Sequence, residues 1–107
     1  MVSKTILIGH LGKAPETRTL EGGKRVTVVS IATKDSYKDG SGEWVNLTDW
    51  HDLEAWGYQS DRLGKFDKGD LIYVEGKYKK KEYNDQNGNK VVRSYLKVDF
   101  AKKINKE

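Results

Sequence analysis

The amino-acid sequence predicts an all-β fold: a five-stranded Greek-key barrel with one short helix between the third and fourth strands. Three observations carry this prediction. Five segments are rich in β-branched or alternating apolar residues, and glycine-rich or Asn-Gly turn signals lie between several of them. Only residues 58–66 show apolar residues at helical spacing. The length of 107 residues, with 36% hydrophobic residues and a mean hydropathy of −0.82, suits a single domain, residues 1–107, with a modest core.

The first two predicted strands cover residues 3–11 and 24–37. In the first strand, Gly9 and Gly12 interrupt an apolar run and predict a bulge or a sharp curvature. Residues 16–20 are expected to form a short extended piece before a Gly-Gly turn. The second strand is rich in β-branched residues, and the turn signal DGSG that follows predicts a hairpin into the third strand.

The third predicted strand has the sequence EWVNLTDWHDLEAWG, residues 43–57, and holds all 3 tryptophans of the chain at even positions. On a strand without a bulge, alternate side chains point to opposite faces. One face then carries Trp44, Asn46, Thr48, Trp50, Asp52, Glu54 and Trp56. The other carries Val45, Leu47, Asp49, His51, Leu53 and Ala55, and its aliphatic residues are expected to face the core. Neighbouring tryptophans would lie about 20 Å apart along the strand. Flat aromatic rings spaced along a polar face are typical of a surface that stacks flat ligands, and we interpret those ligands as nucleotide bases.

Residues 58–66 form the one predicted helix, with about two or three turns. Ser60 and Asp61 have side chains suited to capping its start, and Leu63 and Phe66 would share its apolar face.

Two further strands are predicted at residues 71–83 and 90–101, joined as a hairpin by the Asn-Gly loop of residues 84–89. The last strand is expected to place Val92, Leu96, Val98 and Phe100 on its core face and Arg93, Tyr95, Lys97 and Asp99 on its wet face. Residues 102–107 are expected to be a solvated tail. This order of strands and helix describes an OB-fold.

The distribution of charge favours a polyanionic partner, although the formal net charge is only +4. Residues 1–38 carry a net +4, residues 39–70 a net −5 and residues 71–107 a net +5. The basic surface must therefore come from the two ends of the chain. The absence of cysteine excludes disulfides, and no apolar run approaches the length of a membrane span or a signal peptide, so a cytoplasmic location without membrane partners is expected.

Aromatic residues interleaved with lysines are the strongest candidate binding feature. A single tryptophan is more often an ordinary core or interface residue, but two on one face beside lysines and tyrosines favour base stacking with phosphate neutralisation. Trp50 and Trp56 form this pair, and the residues that would flank them are Lys34, Tyr37, Lys79, Lys81 and Tyr83. Taken alone, the lysine run at residues 77–81 is better explained as a solvated strand end that keeps an edge from pairing. Its position beside Tyr83 on a predicted hairpin arm favours phosphate contact instead.

The two histidines, His10 and His51, lack a third ligand at a recognisable metal spacing. His51 has the parity of the aliphatic face and is interpreted as a structural or interface residue. No arrangement of nucleophile and base, phosphate loop or carboxylate pair stands out, so neither enzyme activity nor a metal or other cofactor is expected.

Three segments together resemble the bacterial single-stranded DNA-binding protein family. They are ILIGHLGKAPETR, TDWHDLEAWG, and KGDLIYVEGKY with KEYNDQNG, and the resemblance runs from about residue 3 to residue 100. It implies base stacking at Tyr37, Trp50, Trp56 and Tyr83, with tyrosine at two positions where tryptophan is common. It further implies basic contacts at Lys4, Lys34, Lys38, Lys68, Lys79 and Lys81. Trp44, included by its parity alone, and Arg93, on the wet face of the last strand, complete the predicted interface.

The resemblance also implies a homotetramer, with contacts between subunits near the first strand, at Ile6 and Ile8, and near His51. Two departures from the family pattern bear on function. The sequence ends at KKINKE, without the long segment and acidic-hydrophobic tip that recruits protein partners in the family. Either the chain is a tailless variant or its tail was removed, so tail-mediated partners are doubtful. Asp52 and Glu54 share the tryptophan parity, where they would repel phosphate, unless they face a neighbouring subunit or a bulge turns them away.

The sequence therefore predicts a non-catalytic, largely sequence-independent binder of single-stranded DNA, with a role in DNA replication, recombination or repair. One alternative is an OB-fold protein-interaction subunit of a replication or primosome assembly, which the acidic middle third favours. Another is an RNA binder, because stacking alone does not read the 2′-hydroxyl.

Overall fold

The computed structural model describes residues 1–104, whose long strands close a five-stranded barrel with one additional short strand. The strands are β1 (Thr5–Leu11), β2 (Glu16–Thr19), β3 (Arg25–Lys38), β4 (Trp44–Trp56), β5 (Leu71–Asn84) and β6 (Lys90–Lys103). A 3-10 turn covers Glu21–Gly23 and a single α-helix, α1, covers Tyr58–Leu63. The predicted all-β barrel with one short helix is confirmed, and the predicted extended piece after the first strand is the short strand β2.

The barrel closes because β1 pairs with two strands in succession. The sheet runs in the order β1-β5-β6-β4-β3-β2, and the end of β1 also pairs with β3 at His10↔Ala32 and Leu11↔Ile31. All pairings are antiparallel except the short contact of β4 with β6 around Leu53↔Leu96. The curvature predicted near Gly9 coincides with this crossing, since a Cβ there would lie 2.1 Å from the carbonyl oxygen of Ala32.

The core consists of inward-facing residues of the barrel strands together with Leu63 of α1. Its buried members are Leu11, Val29, Ile31, Leu53, Ala55, Leu63, Ile72, Val74, Leu96, Val98 and Ala101. On β4 the odd-numbered Leu53 and Ala55 face this core, as the parity argument predicts. The even-numbered side chains of β4 therefore face away from it.

The two long hairpins extend beyond the barrel. The β3–β4 ladder pairs residue by residue from Val26↔Trp56 to Lys38↔Trp44, with no register shift. Leu47 has core parity but is about half exposed, and so is Val92 on the β5–β6 hairpin. The prediction that these two residues face the core is wrong, because both ladders continue past the barrel wall into solvent.

A β-bulge corrects the predicted core face of the last strand. Glu75 pairs with Phe100 and Gly76 pairs with Val98, so Asp99 is an extra residue. The parity of β6 changes at this point. Phe100 consequently points outward, and Ala101 takes the core position that the alternation assigned to Phe100.

The helix is shorter than predicted, six residues rather than the expected nine. Gly57, with a φ of 59°, is its N-cap, and no side chain caps the start. Ser60 is instead buried, and its hydroxyl lies 2.6 Å from the Thr27 hydroxyl, which also donates to the Ser60 carbonyl at 3.0 Å. The predicted capping role of Ser60 and Asp61 is therefore wrong, whereas Leu63 is fully buried as expected. In the predicted tail, β6 continues to Lys103, and residues 105–107 lie outside the described residues.

Candidate nucleic-acid interface

The tryptophan face of β4 lies on the outside of the barrel. Because the β3–β4 ladder is unbroken, the alternation of side chains holds along the whole strand. Trp50 is 61% exposed and Trp56 is 37% exposed, and Trp44 stands at the far end of the hairpin, also exposed. All three indole rings are therefore accessible to a ligand on one face of one strand.

A cleft of about 700 Å³ separates part of this face from the β5–β6 hairpin. Trp50 lies on one side, and Lys81, Tyr83, Arg93 and Tyr95 line the other. In the antiparallel register Lys81 pairs with Arg93 and Lys79 pairs with Tyr95, so cations and phenol rings share one face of the hairpin. The cleft thus offers flat rings and positive charges side by side.

The loop after β1 forms one end of the cleft, where Gly12 supports the Trp50 ring. A Cβ at Gly12 would lie only 2.4 Å from Cζ3 and 2.7 Å from Cη2 of the indole. Only a residue without a side chain lets the ring lie this close to the backbone. The sequence predicted that Gly12 marks a bulge or a sharp curvature, and nothing in the sequence indicates that it supports an aromatic ring.

The two carboxylates on the tryptophan face are both paired with cations of the opposite hairpin. Arg93 Nη2 lies 2.7 Å from Asp52 Oδ2, and Lys81 Nζ lies 2.8 Å from Glu54 Oε2. The hydrogen bond to Asp52 is the main reason why the pKa of Arg93 is raised above its usual value. The alternative in which a bulge turns these carboxylates away is wrong, because β4 has no bulge against β3.

Glu54 organises three other side chains of the interface. It is only 6% exposed, and its Oε1 accepts a hydrogen bond from the Trp56 indole N–H at 3.0 Å. Lys81, held on its other oxygen, lies 4.8 Å from the centroid of the Tyr95 ring. Tyr95 was placed on a wet face by the sequence but not in the site. Tyr95 lies two residues after Arg93 on β6, so the two side chains share one face, and this spacing is the sequence signal that identifies Tyr95.

The β3–β4 hairpin divides the remaining predicted contacts between its two faces. Lys34 and Lys38 pair with even-numbered residues of β4 and share the tryptophan face. The Lys38 ammonium lies 5.4 Å from the Trp44 ring centroid, in cation–π geometry. Tyr37 pairs with Val45, so it lies on the opposite face of the ladder. Tyr37 was predicted to flank Trp50 and Trp56, and its stacking role stays a prediction.

Two predicted basic contacts lie on neither of the two long hairpins. Lys4, ahead of β1, forms an ion pair with Glu75 at 3.0 Å. Lys68 lies in the loop between α1 and β5 and does not line the cleft. The structure brings Lys79, Lys81 and Arg93 together on the β5–β6 hairpin, but not these two lysines.

The predicted subunit-contact residues lie on opposite sides of the barrel wall. Ile6 and Ile8 are about half exposed on the outer face of β1, where they pair with Glu75 and Tyr73 of β5. Tyr73 packs edge to face against Phe100, with ring centroids 6.3 Å apart, which extends the apolar character of this outer face. His51 has core parity and is half-buried.

The contacts of His51 are with neighbouring strands. Its Nε2 lies 3.0 Å from the Thr33 hydroxyl and its Nδ1 lies 2.9 Å from the Tyr78 hydroxyl. Burial raises the pKa of Tyr78. His51 therefore links β3, β4 and β5 within one barrel, which fits the structural interpretation of this histidine.

Within residues 1–104, no group of histidine, cysteine, aspartate and glutamate side chains is arranged to hold a metal ion. In the same part of the chain, no helix has the length and apolar character needed to cross a membrane.

Comparison with known proteins gives consistent matches. Residues 2–104 match the model of the single-strand binding protein family. The chain is 36% identical over 85 residues to single-stranded DNA-binding protein 1 of Chlorobaculum tepidum, covering 78% of this chain and 52% of that protein. It is 34% identical over 88 residues to the single-stranded DNA-binding protein of Neisseria meningitidis, covering 81% and 51%. The chain thus spans about half the length of these relatives.

Solved structures agree on the fold. The Plasmodium falciparum SSB in complex with ssDNA superposes with a TM-score of 0.89 at 24% identity, covering 98% of this chain and 97% of that one. A deletion mutant of the single-stranded DNA binding protein from Thermus aquaticus gives a TM-score of 0.84 at 25% identity, covering 97% and 51%. These likenesses support the OB-fold barrel described above.

Proposed function

Because the chain belongs to the single-strand binding protein family, we propose that it binds single-stranded DNA with little regard to sequence. The observation that carries the proposal is the pair of exposed indoles, Trp50 and Trp56, on one outer face, with Trp50 lining a cleft that also holds Tyr83 and basic side chains. The family is described by binding rather than by a reaction, which agrees with the expectation that the chain is not an enzyme.

Stacking on the exposed rings accounts for recognition of unpaired strands. Every base has a π-face, and stacking it on an aromatic ring contributes about 1–3 kcal/mol with little dependence on base identity. A duplex hides these faces, so the rings select single strands. Trp50, supported from behind by Gly12, is the main stacking residue in the cleft, with Tyr83 on the opposite hairpin and Trp56 further along β4.

Cations on both hairpins neutralise the phosphates. Lys79 and Arg93 lie on the β5–β6 hairpin, and Lys34 and Lys38 lie on the tryptophan face of the β3–β4 hairpin. Binding a phosphate to each cation releases condensed counterions, so affinity falls as salt rises. The strand would therefore run along the two hairpins, with Trp44 as a stacking ring at the far end.

Several copies of the chain would bind one DNA strand together. The half-exposed Ile6 and Ile8, beside Tyr73, form an apolar outer face of the kind that marks protein contacts. We assign this face to contacts between subunits of a homo-oligomer, in line with the homotetramer that the family resemblance implies. Such an assembly would act in replication, recombination or repair, in the cytoplasm of a bacterial cell where single strands are exposed.

The proposal is tested by titrating the protein with oligo-dT at low salt while following tryptophan fluorescence. Binding should quench the emission and weaken steeply with added salt. Trp50→Ala and Trp56→Ala should each weaken binding by about 1–3 kcal/mol. The matched control is Tyr58→Ala, which removes an exposed ring on α1 that does not line the cleft, and its affinity should equal that of the unmodified protein.

Wild-type protein that shows no quenching at low salt would refute the proposal. Competition between matched DNA and RNA strands decides between DNA and RNA binding, since the stacking rings do not read the 2′-hydroxyl. The protein-interaction alternative loses part of its support, because Asp52 and Glu54 of the acidic middle third are paired within the chain.

A further inference from the structure

The ion pair between Asp52 and Arg93 lies in the cleft that we assign to single-stranded DNA. Asp52 lies on β4 and Arg93 on β6, and both side chains line the cleft. Their 2.7 Å contact is open to solvent on both sides, with 43% of the Asp52 side chain and 61% of the Arg93 side chain exposed. The Ser30 hydroxyl donates to the other carboxylate oxygen at 3.1 Å, which helps to hold Asp52 toward the arginine.

The neighbouring pair of Glu54 and Lys81 differs in its burial. Only 8% of the Glu54 side chain is exposed, and Glu54 also accepts the Trp56 indole N–H. Removing Lys81 from it would leave a nearly buried carboxylate without its cation, which is costly. This second pair is therefore fixed, whereas the solvated Asp52–Arg93 pair can separate, because exposed ion pairs are stabilised only weakly.

We propose that Asp52 competes with DNA phosphate for Arg93 and thereby lowers the affinity of the cleft for single-stranded DNA. This inference rests on the proposed function. A carboxylate offers the guanidinium the same charge-assisted contact that a phosphate oxygen offers. An incoming strand must displace Asp52, and the released carboxylate then stands beside the bound phosphate, where like charges repel.

The exchange also affects the salt dependence of binding. When Arg93 takes a phosphate, counterions leave the DNA, but the freed Asp52 attracts a cation in their place. The net number of counterions released by this contact is therefore small. Without the Asp52 charge, the same contact releases its counterions in full, and the slope of log K against log salt should steepen by up to about 0.7.

The experiment compares Asp52→Asn with Asp49→Asn in oligo-dT titrations across a series of salt concentrations. Both substitutions remove one negative charge from β4, but Asp49 pairs with Thr33 on the opposite face of the strand. Asp52→Asn should bind about 1.5- to 5-fold more tightly, the range that corresponds to the stabilisation of an exposed ion pair. It should also show the steeper salt slope, while Asp49→Asn should stay close to wild type in both.

A second comparison tests whether the effect acts through Arg93. In an Arg93→Gln background, Asp52→Asn should lose most of its benefit, because the competed group is gone. Thermal melts followed by circular dichroism establish that each variant is folded.

Each of three results would overturn the inference and leave the proposed function intact. The two asparagine variants could change binding equally, the tighter binding of Asp52→Asn could persist in the Arg93→Gln background, or Asp52→Asn could bind DNA more weakly than wild type. If wild-type protein and every variant fail to bind at low salt, the proposed function fails and the inference fails with it.

Discussion

Gly12→Ala should weaken DNA binding by displacing the Trp50 ring without removing it. The backbone at Gly12 is outside the left-handed region, so alanine fits the local conformation. The new Cβ, however, would lie 2.4 Å and 2.7 Å from two carbons of the indole. Optimal carbon–carbon contacts lie at about 3.5–4.0 Å, so the ring must retreat by about 1 Å or rotate.

The expected loss of affinity is bounded by the loss for Trp50→Ala. Complete removal of the ring should cost about 1–3 kcal/mol of binding free energy, roughly 5- to 150-fold in Kd. Moving the ring off its support should cost a fraction of this, because the ring is still present but no longer held at the edge of the cleft. The variant should unfold at nearly the same temperature as wild type, since Trp50 is mostly exposed and can move into solvent.

The assay is the oligo-dT titration, with Gly40→Ala as the matched control. A Cβ at Gly40 would meet no atom within 4 Å, and Gly40 also lies outside the left-handed region. The double variant Gly12→Ala/Trp50→Ala should bind no more weakly than Trp50→Ala alone, because both substitutions act on one ring.

Two results would refute this reasoning. Unchanged affinity in Gly12→Ala would show that the position of the ring does not matter for binding. Additive losses in the double variant would show that Gly12 acts on DNA by a route that does not involve Trp50.

Two further predictions concern stability. Thr27→Val keeps the shape of a fully buried side chain but removes the hydroxyl that donates to the Ser60 carbonyl. It should lower the free energy of unfolding, measured by urea denaturation, by about 1–3 kcal/mol. An unchanged urea midpoint would contradict the role of this hydroxyl. A hydrogen bond from Tyr73, followed by one from Lys4, lowers the pKa of Glu75. The corresponding stabilisation is present above the unfolded pKa and is lost as pH falls through the folded pKa. Glu75→Gln should therefore lose less stability than wild type as the pH falls below the ordinary glutamate pKa of 4.5. Parallel pH profiles of the two proteins would show that these contacts do not matter.

The sequence predicted the elements of the barrel well where a local pattern is enough to specify them. The parity of β4 correctly separates an outer face with three tryptophans from the core-facing Leu53 and Ala55, because side chains alternate on any regular strand. The same rule failed for Phe100 and Leu47. A bulge opposite Gly76 reverses the parity of Phe100, and Leu47 lies on a hairpin that extends beyond the barrel into solvent. Neither feature has a signal in local periodicity.

The interface shows the same division. The sequence identified Trp50, Lys81 and Arg93 as separate candidates, but it did not indicate that the two cations each meet a carboxylate. Asp52 and Arg93 are 41 residues apart in the chain, so only the packing of the β5–β6 hairpin against the tryptophan face brings them together.

By itself, then, the order of residues determined which side chains point outward along each regular strand and which residue types are available to stack or to carry charge. The tertiary structure alone decided which charges are neutralised within the chain and which ring rests on Gly12. The physical reason is the range of the interactions: side-chain alternation is set by neighbouring residues, whereas ion pairs, ring supports and bulges depend on strands that meet only when the barrel closes.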